Sequence, residues 1–168
     1  MVANVVLRAA LPSDGLAVES VLSLSYSVLL KGAYSESLLA VALPALVIAN
    51  PALLACGTFY VAENANGKLV GCGGWTHERP GSGEMVEGIA HIRHFAIHPD
   101  RRGQGIGRVI YDHCEYQARQ ARVKTFDCYS TLNAQPFYAA MGFRTVSTIE
   151  LMLRGTIKFP AVLMRRSI

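Results

Sequence analysis

Apolar positions recur along the chain with a period that switches between two and about 3.6, and each switch marks a new element. The stretch NVVLRAA over residues 4–10 predicts a short strand, which stops at Pro12-Ser13-Asp14, where Ser13 or Asp14 is placed to cap a helix. Helical spacing follows over roughly 14–30 and 36–48. Two alternating runs, TFYVAE (58–63) and KLVGCGGW (68–75), flank Asn64-Ala65-Asn66-Gly67. Asn-Gly between such runs predicts a hairpin. A polar, glycine-rich stretch over 78–88 leads into a strand over 89–98, and RRGQGIG then opens a helix that reaches about Ala121. Ile106, Ile110, Cys114, Ala118 and Ala121 give that helix a single apolar stripe. TFDCYST (125–131) reads as a strand, NAQPFYAAMG (133–142) as a short helix, and two strands over about 143–153 and 156–166 finish the chain. Early hairpins with a strand-helix-strand crossover in the middle predict one mixed α/β domain over residues 1–168, undivided by linker or repeat.

Composition narrows this picture. With 168 residues, 51% of them hydrophobic, the chain is long enough to bury a core of its own. The net charge of +4 is local: residues 91–124 hold seven basic groups against three acids, and the remainder balances at nine against nine. A basic segment on a neutral body points to a small anionic ligand rather than a nucleic acid, which is met by charge spread over a face. Cys56, Cys72, Cys114 and Cys128 lie far apart without metal-ligand spacing, which predicts buried thiols in a reducing cytoplasm and no metal. The N-terminus lacks the pattern of a signal peptide. Residues 38–56 are strongly apolar, but Pro44 and Asn50-Pro51 interrupt them, so they predict a buried helix ending before Pro51 rather than a membrane span.

The chemistry concentrates at Arg101-Arg102-Gly103-Gln104-Gly105-Ile106-Gly107, between a predicted strand and a predicted helix. At such a junction several backbone N–H groups lack partners and the helix dipole is positive, so an anion gains hydrogen bonds and field together. A P-loop would need Lys followed by Ser or Thr, and a dinucleotide GxGxxG would need glycine where Arg108 stands; neither fits.

Arg102-Gly103-Gln104-Gly105-Ile106-Gly107 matches the R/Q-x-x-G-x-G/A signature of GNAT-type N-acetyltransferases, and HFAIHPDRRGQGIG (94–107) resembles that superfamily's acetyl-CoA segment. Asn133-Ala134-Gln135-Pro136-Phe137-Tyr138-Ala139-Ala140-Met141-Gly142-Phe143 is similar to its N-x-x-x-x-F-Y-x-x-x-G-F motif, and the element order fits over residues 4–166. The resemblance implies a mostly antiparallel central sheet flanked by helices and splayed at a cofactor notch. It also implies acetyl-CoA as co-substrate and transfer to an amine, on a small molecule or a peptide, by direct attack in a ternary complex. No membrane or nucleic-acid partner is implied, and a homodimer is left open. The alternative is an acyl-CoA-binding sensor without catalysis.

Residue by residue, the resemblance assigns the backbone of Phe95, Ala96 and Ile97, on a bulged strand, to pantetheine. The amides of Gly103, Gln104, Gly105, Ile106, Gly107 and Arg108 go to the pyrophosphate, with Arg101 and Arg102 as cationic partners. Asn133 holds the cofactor arm or caps a helix. Tyr138 is the general acid to the departing thiolate or a packed aromatic. For the base, strand alternation puts His91, Arg93, Phe95 and Ile97 on one side and Ile92, His94 and Ala96 on the other. Family branches place a Glu or a His pair at the positions of Arg93 and His91. A guanidinium stays protonated and cannot serve. His91 is therefore the candidate base, with Glu87 and His94 behind it, and Arg93 either orients an acidic group of the acceptor or makes an ordinary salt bridge. Tyr26, Tyr34, Trp75, His77, Glu84 and Glu87 are the remaining candidates for the acceptor pocket.

Overall fold

The computed structural model describes residues 4–168. One seven-stranded sheet runs in the order β1-β2-β3-β4-β5-β7-β6. Its strands are β1 Val6–Ala9, β2 Phe59–Glu63, β3 Leu69–Thr76, β4 Ile89–Ile97, β5 Thr125–Ser130, β6 Arg144–Leu153 and β7 Ile157–Ser167. Every neighbouring pair is antiparallel except β4 and β5, which are parallel and joined through helix α4, Ile106–Gln120. A parallel pair needs such a crossover, whereas the hairpins need only turns. In the β2–β3 hairpin, Asn64 Oδ1 accepts the N–H groups of Asn66 and Lys68, and Gly67 takes a φ of +75°.

Helix α4 and the short α5, Gln135–Ala140, cover one face of the sheet. Ile106, Ile110, Cys114 and Ala118 are buried there beneath Trp75, Ala90, Ile92 and Phe126, while Ala121 stands just past the helix and is exposed. The other face carries α1, Gly15–Leu29, α2, Glu36–Leu46, and α3, Pro51–Leu54. This is the mixed, mostly antiparallel architecture that the resemblance implied.

Three local expectations need correction. Asp14 stands at the start of α1 but does not cap it: its carboxylate takes the Leu11 N–H at 2.7 Å and two bonds from Arg8 at 2.8 and 2.9 Å. The apolar run over 38–56 does hold a helix that ends before Pro51, at Leu46, but that helix is not buried along its length. Only Leu39 and Ala42 of α2 are buried, and Asn50 accepts the Ala52 N–H to start α3 with Pro51 in its first turn. Proline there opens a helix instead of ending one, because its missing N–H has no role in a first turn. Third, Cys72, Cys114 and Cys128 are buried but Cys56 is exposed; all four thiols are free. No helix among the described residues is long and apolar enough to cross a membrane.

Candidate active site

Strand β4 positions the site by leaving its neighbour. It pairs with β5 only at Ile89, Ala90 and His91, against Thr125, Phe126 and Asp127, after which the two strands part. On its other side β4 stays paired with β3, but the register slips: Gly74 faces Arg93 and Cys72 faces Ala96, so Gly73 alone opposes His94 and Phe95. This is a β-bulge, with His94 at a φ of +46°. A Cβ on Gly73 would lie 2.6 Å from the Phe95 ring, so the glycine makes room for the side chain that the bulge redirects. The extra residue breaks the strict alternation expected from the sequence. Phe95 and Ile97 pack with the α4 face and Ala96 with α1, whereas His94 follows Arg93 onto the α1 side and lines a small recess with Leu22, Leu53 and Leu54.

The glycine-rich turn closes one end of the notch. Gly103 and Gly105 have φ of +73° and +80°, a region costly for residues with a Cβ, and a Cβ on either would meet nothing within 4 Å. Helical hydrogen bonding begins with the Val109 N–H to the Gly105 carbonyl, which leaves the N–H groups of Ile106, Gly107 and Arg108 without intrahelical partners. Gly107 serves packing instead: a Cβ there would lie 2.8 Å from the Phe137 ring. Arg101 and Arg102 are exposed and have no carboxylate within ion-pair distance among the described residues. Arg108 bonds the Ala140 carbonyl at 3.2 Å. Unpaired amides, open space above two glycines and two free guanidiniums fit a diphosphate.

A cavity of about 410 Å³ joins this turn to the notch. Phe95, Ala96 and Ile97 form one wall; Arg101, Arg102, Gly103 and Gly105 to Arg108 form the floor; Asn133 and Tyr138 stand opposite. Gln104 belongs to the turn without lining the cavity. Asn133 caps nothing, since neither the 3-10 turn at Leu132–Ala134 nor α5 receives a side-chain cap. Tyr138 is 6% exposed, beside the Cys128 thiol, and burial raises its pKa well above the phenolic value. Burial pushes Cys128 up to about 12, so roughly one thiol in 100,000 is ionised at pH 7. Cys128 is therefore a poor nucleophile. Tyr26 also lines the cavity and donates to the Phe95 carbonyl at 3.4 Å.

Seven lining residues went unread in the sequence. Ser25, Leu29 and Leu30 share the inner face of α1 with Tyr26, at spacings of one, four and five residues, and the Ser25 hydroxyl is buried without a partner. Phe137 stands inside the second motif, but nothing in one sequence shows that its ring packs on Gly107.

Other candidates lie elsewhere. Trp75 is not in the cavity: 2% exposed, it packs edge-on to His77 and tilted over Phe126 beneath α4, because alternation along β3 turns it to that face. Glu87 lines a separate groove with Met85, Arg122 and Lys124, at the end of β4 where the pairing with β5 begins. Tyr34 donates to the Pro160 carbonyl and accepts from the Leu132 N–H, which makes it a brace between the α1–α2 connection and β7. Glu84 pairs with Arg79 at 2.7 Å. His91 is 3% exposed and outside the cavity lining, at the last residue before β4 and β5 separate; its Nδ1 has no partner, and burial lowers its pKa. Arg93 makes no salt bridge among the described residues; its Nη1 donates to Thr76 Oγ1 at 2.9 Å.

Comparison with known proteins agrees with this geometry. Residues 55–145, more than half of the chain, match the family model described as an acetyltransferase (GNAT) domain. An uncharacterized N-acetyltransferase, ycf52, of Pyropia yezoensis is 32% identical over 81 residues, which cover 48% of this chain and 42% of that protein. The chain thus aligns with less than half the length of that curated relative. A GCN5-related N-acetyltransferase from Rhodopseudomonas palustris superposes with a TM-score of 0.79 at 21% identity, over 100% of this chain and 98% of that one. The PaiA N-acetyltransferase of Thermoplasma acidophilum, solved in complex with coenzyme A, superposes at 0.66 and 14% identity, over 98% and 99% of the two chains. At these identities the superpositions speak for the fold, while the family match spans the bulged strand, the glycine-rich turn and Tyr138 alike. The chain belongs to the GNAT acetyltransferase family.

Proposed function

We propose that residues 1–168 act as one unit that transfers the acetyl group of acetyl-CoA to an amine by direct attack in a ternary complex. The observation that carries this is the parting of β4 from β5 after three paired residues, directly above a helix N-terminus with free amides. An unpaired strand edge suits the amides of pantetheine as an added strand would, and the helix end suits its diphosphate.

The reaction breaks a thioester C–S bond, forms an amide C–N bond, and requires the amine to lose a proton while the thiolate leaves. Phe95 to Ile97 orient the thioester arm through their backbone. Tyr138 keeps its proton at all physiological pH and donates a hydrogen bond to the sulfur as charge gathers there. A thiol pKa near 8.5 makes this helpful without making it indispensable. An alkylamine with a lysine-like pKa is only roughly 0.04% neutral at pH 7, so the harder proton is on the nucleophile. His91, neutral and with an unspent Nδ1 where the strands separate, takes that proton through water.

One observation favours the rival reading as a non-catalytic acyl-CoA sensor: among the described residues no histidine or carboxylate lines the cavity. Calorimetry with acetyl-CoA, paired with thiol release across amines, amino acids and peptide N-termini, separates the two. Binding with turnover supports the transferase, binding without turnover the sensor, and no binding defeats both.

A further inference from the structure

The α1–α2 side of the sheet carries a group of ionisable side chains that cofactor binding does not use. Three guanidiniums gather there, and two are matched by acids. Arg165 holds Asp127 through two bonds at 2.6 and 2.9 Å, and Arg79 holds Glu84 at 2.7 Å. The third, Arg93, is half-buried, has the single bond to Thr76 and has no carboxylate within ion-pair distance among the described residues. The acid whose field reaches it, Glu78, is exposed, and that residue meets Thr76 through its backbone carbonyl instead. A guanidinium held partly out of water without a counter-ion is unfavourable, and its fork of N–H donors matches a carboxylate in geometry. Two residues away along the strand, His91 leaves its buried Nδ1 unpaired. Unspent hydrogen-bonding capacity of both kinds thus lies on one strand face, just before the bulge.

We infer that the acceptor is a small amino carboxylate, its carboxylate seated on Arg93 while its amine reaches the notch at Phe95; this rests on the transferase reading above. The bulge puts Phe95 on the face opposite Arg93, and the gap left where β4 parts from β5 joins the two faces, so a small molecule seated on the α1–α2 side presents its amine through that gap. The same site disfavours polyamines. A second ammonium would face the Arg93 cation, and the Asp127 and Glu84 carboxylates that could receive it are already held by arginines.

The test compares thiol release from acetyl-CoA by glycine, β-alanine and 4-aminobutanoate with that by their carboxamides, in the parent and in Arg93→Gln, whose amide can still bond Thr76. At least one carboxylate is expected to exceed its carboxamide by about tenfold in kcat/KM, the scale of one charge-assisted hydrogen-bond pair. Arg93→Gln is expected to erase that preference mainly through KM, leaving the carboxamides within about twofold. Equal use of both series by the parent, or equal loss of both in the variant, overturns the inference and leaves the transferase intact. If acetyl-CoA binds but no amine releases thiol, the transferase reading fails instead. Calorimetry of the same carboxylates on the CoA-loaded protein then decides: binding lost in Arg93→Gln supports the anion seat, and no binding by the parent overturns it.

Discussion

The two sides of the β4–β5 notch are made of different material. Toward the glycine-rich turn the groups proposed to bind are peptide hydrogens and strand-edge carbonyls, fixed by two left-handed glycines, a helix start and a bulge. Toward the α1–α2 face they are side chains, Arg93 and His91, whose neighbours Asp127, Arg165 and Thr76 come from three other strands. A backbone site tolerates substitution at most of its side chains but not where a special φ is needed. A side-chain site can be retuned by one substitution, which suits the half proposed to set the acceptor.

The sharpest way to break this contrast is at Gly105. Its φ of +80° makes any β-carbon cost on the order of 1–2 kcal/mol, and a carboxylate there would face the diphosphate. Gly105→Glu is expected to weaken CoA binding at least about 100-fold in calorimetry, and Gly105→Ala about tenfold, from strain without charge. Unchanged affinity in Gly105→Glu would remove the diphosphate from this turn.

Next in size is the bulge that divides the two halves. Burial pushes the His94 imidazole from the ordinary 6.5 down to about 4. The unfolded chain therefore binds the extra proton between these values and the folded one does not, so this contribution is complete above pH 6.5 and is lost as pH falls toward 4. It amounts to about 3 kcal/mol at most. Urea melts at successive pH values would show it, and His94→Asn, which tolerates the positive φ, should make the profile shallower in that window, leaving the part contributed by His91 and His113, which burial also lowers. Asp14, held low by Arg8, loses its contribution only below its ordinary 3.8 and so falls outside the window.

Much of this is legible in the sequence alone. The Asn133–Tyr138 stretch is legible through the motif it resembles, while the glycine-rich turn announces itself because a backbone site restricts residue type locally: few residues besides glycine accept the φ of positions 103 and 105. The hairpin at Asn64–Gly67 was readable for the same reason. The acceptor half was not, because strand alternation assigns faces only until a bulge intervenes, and the inserted residue puts Phe95 on the face opposite Arg93. Trp75 was misread through the same kind of ambiguity, since a large aromatic on a strand buried on both faces gives no sign of which face it takes. Residue type likewise did not reveal that Arg93 would lack an acid partner; that follows from Asp127 and Glu84 being taken by Arg165 and Arg79.

Tyr138 tests the one side chain that the backbone half requires. Tyr138→Phe should lower kcat by about 10- to 100-fold, within the range for one donor at a developing charge, with little change in the affinity for CoA. Because burial holds the phenol above its usual pKa, the parent should show no alkaline loss from this group through pH 9. A variant with unaltered turnover would reduce Tyr138 to packing against Phe95 and Phe143.

The smallest effect, and the one that sharpens the contrast most, belongs to His91. Without an enzymic base, turnover must follow the neutral fraction of the amine and rise about tenfold per pH unit up to the pKa of the acceptor. Because burial lowers the His91 pKa, its imidazole keeps its neutral form further into acid than a free histidine, so the parent should depart from that line at low pH by taking the proton that bulk solvent otherwise must remove. His91→Ala is therefore expected to cost about tenfold at pH 6 and about twofold at pH 9, read as a ratio of kcat/KM across pH. A ratio that stays flat would mean that burial at the parting of the strands has made His91 structural, and the proton would then leave through solvent along the same open notch that admits the acceptor.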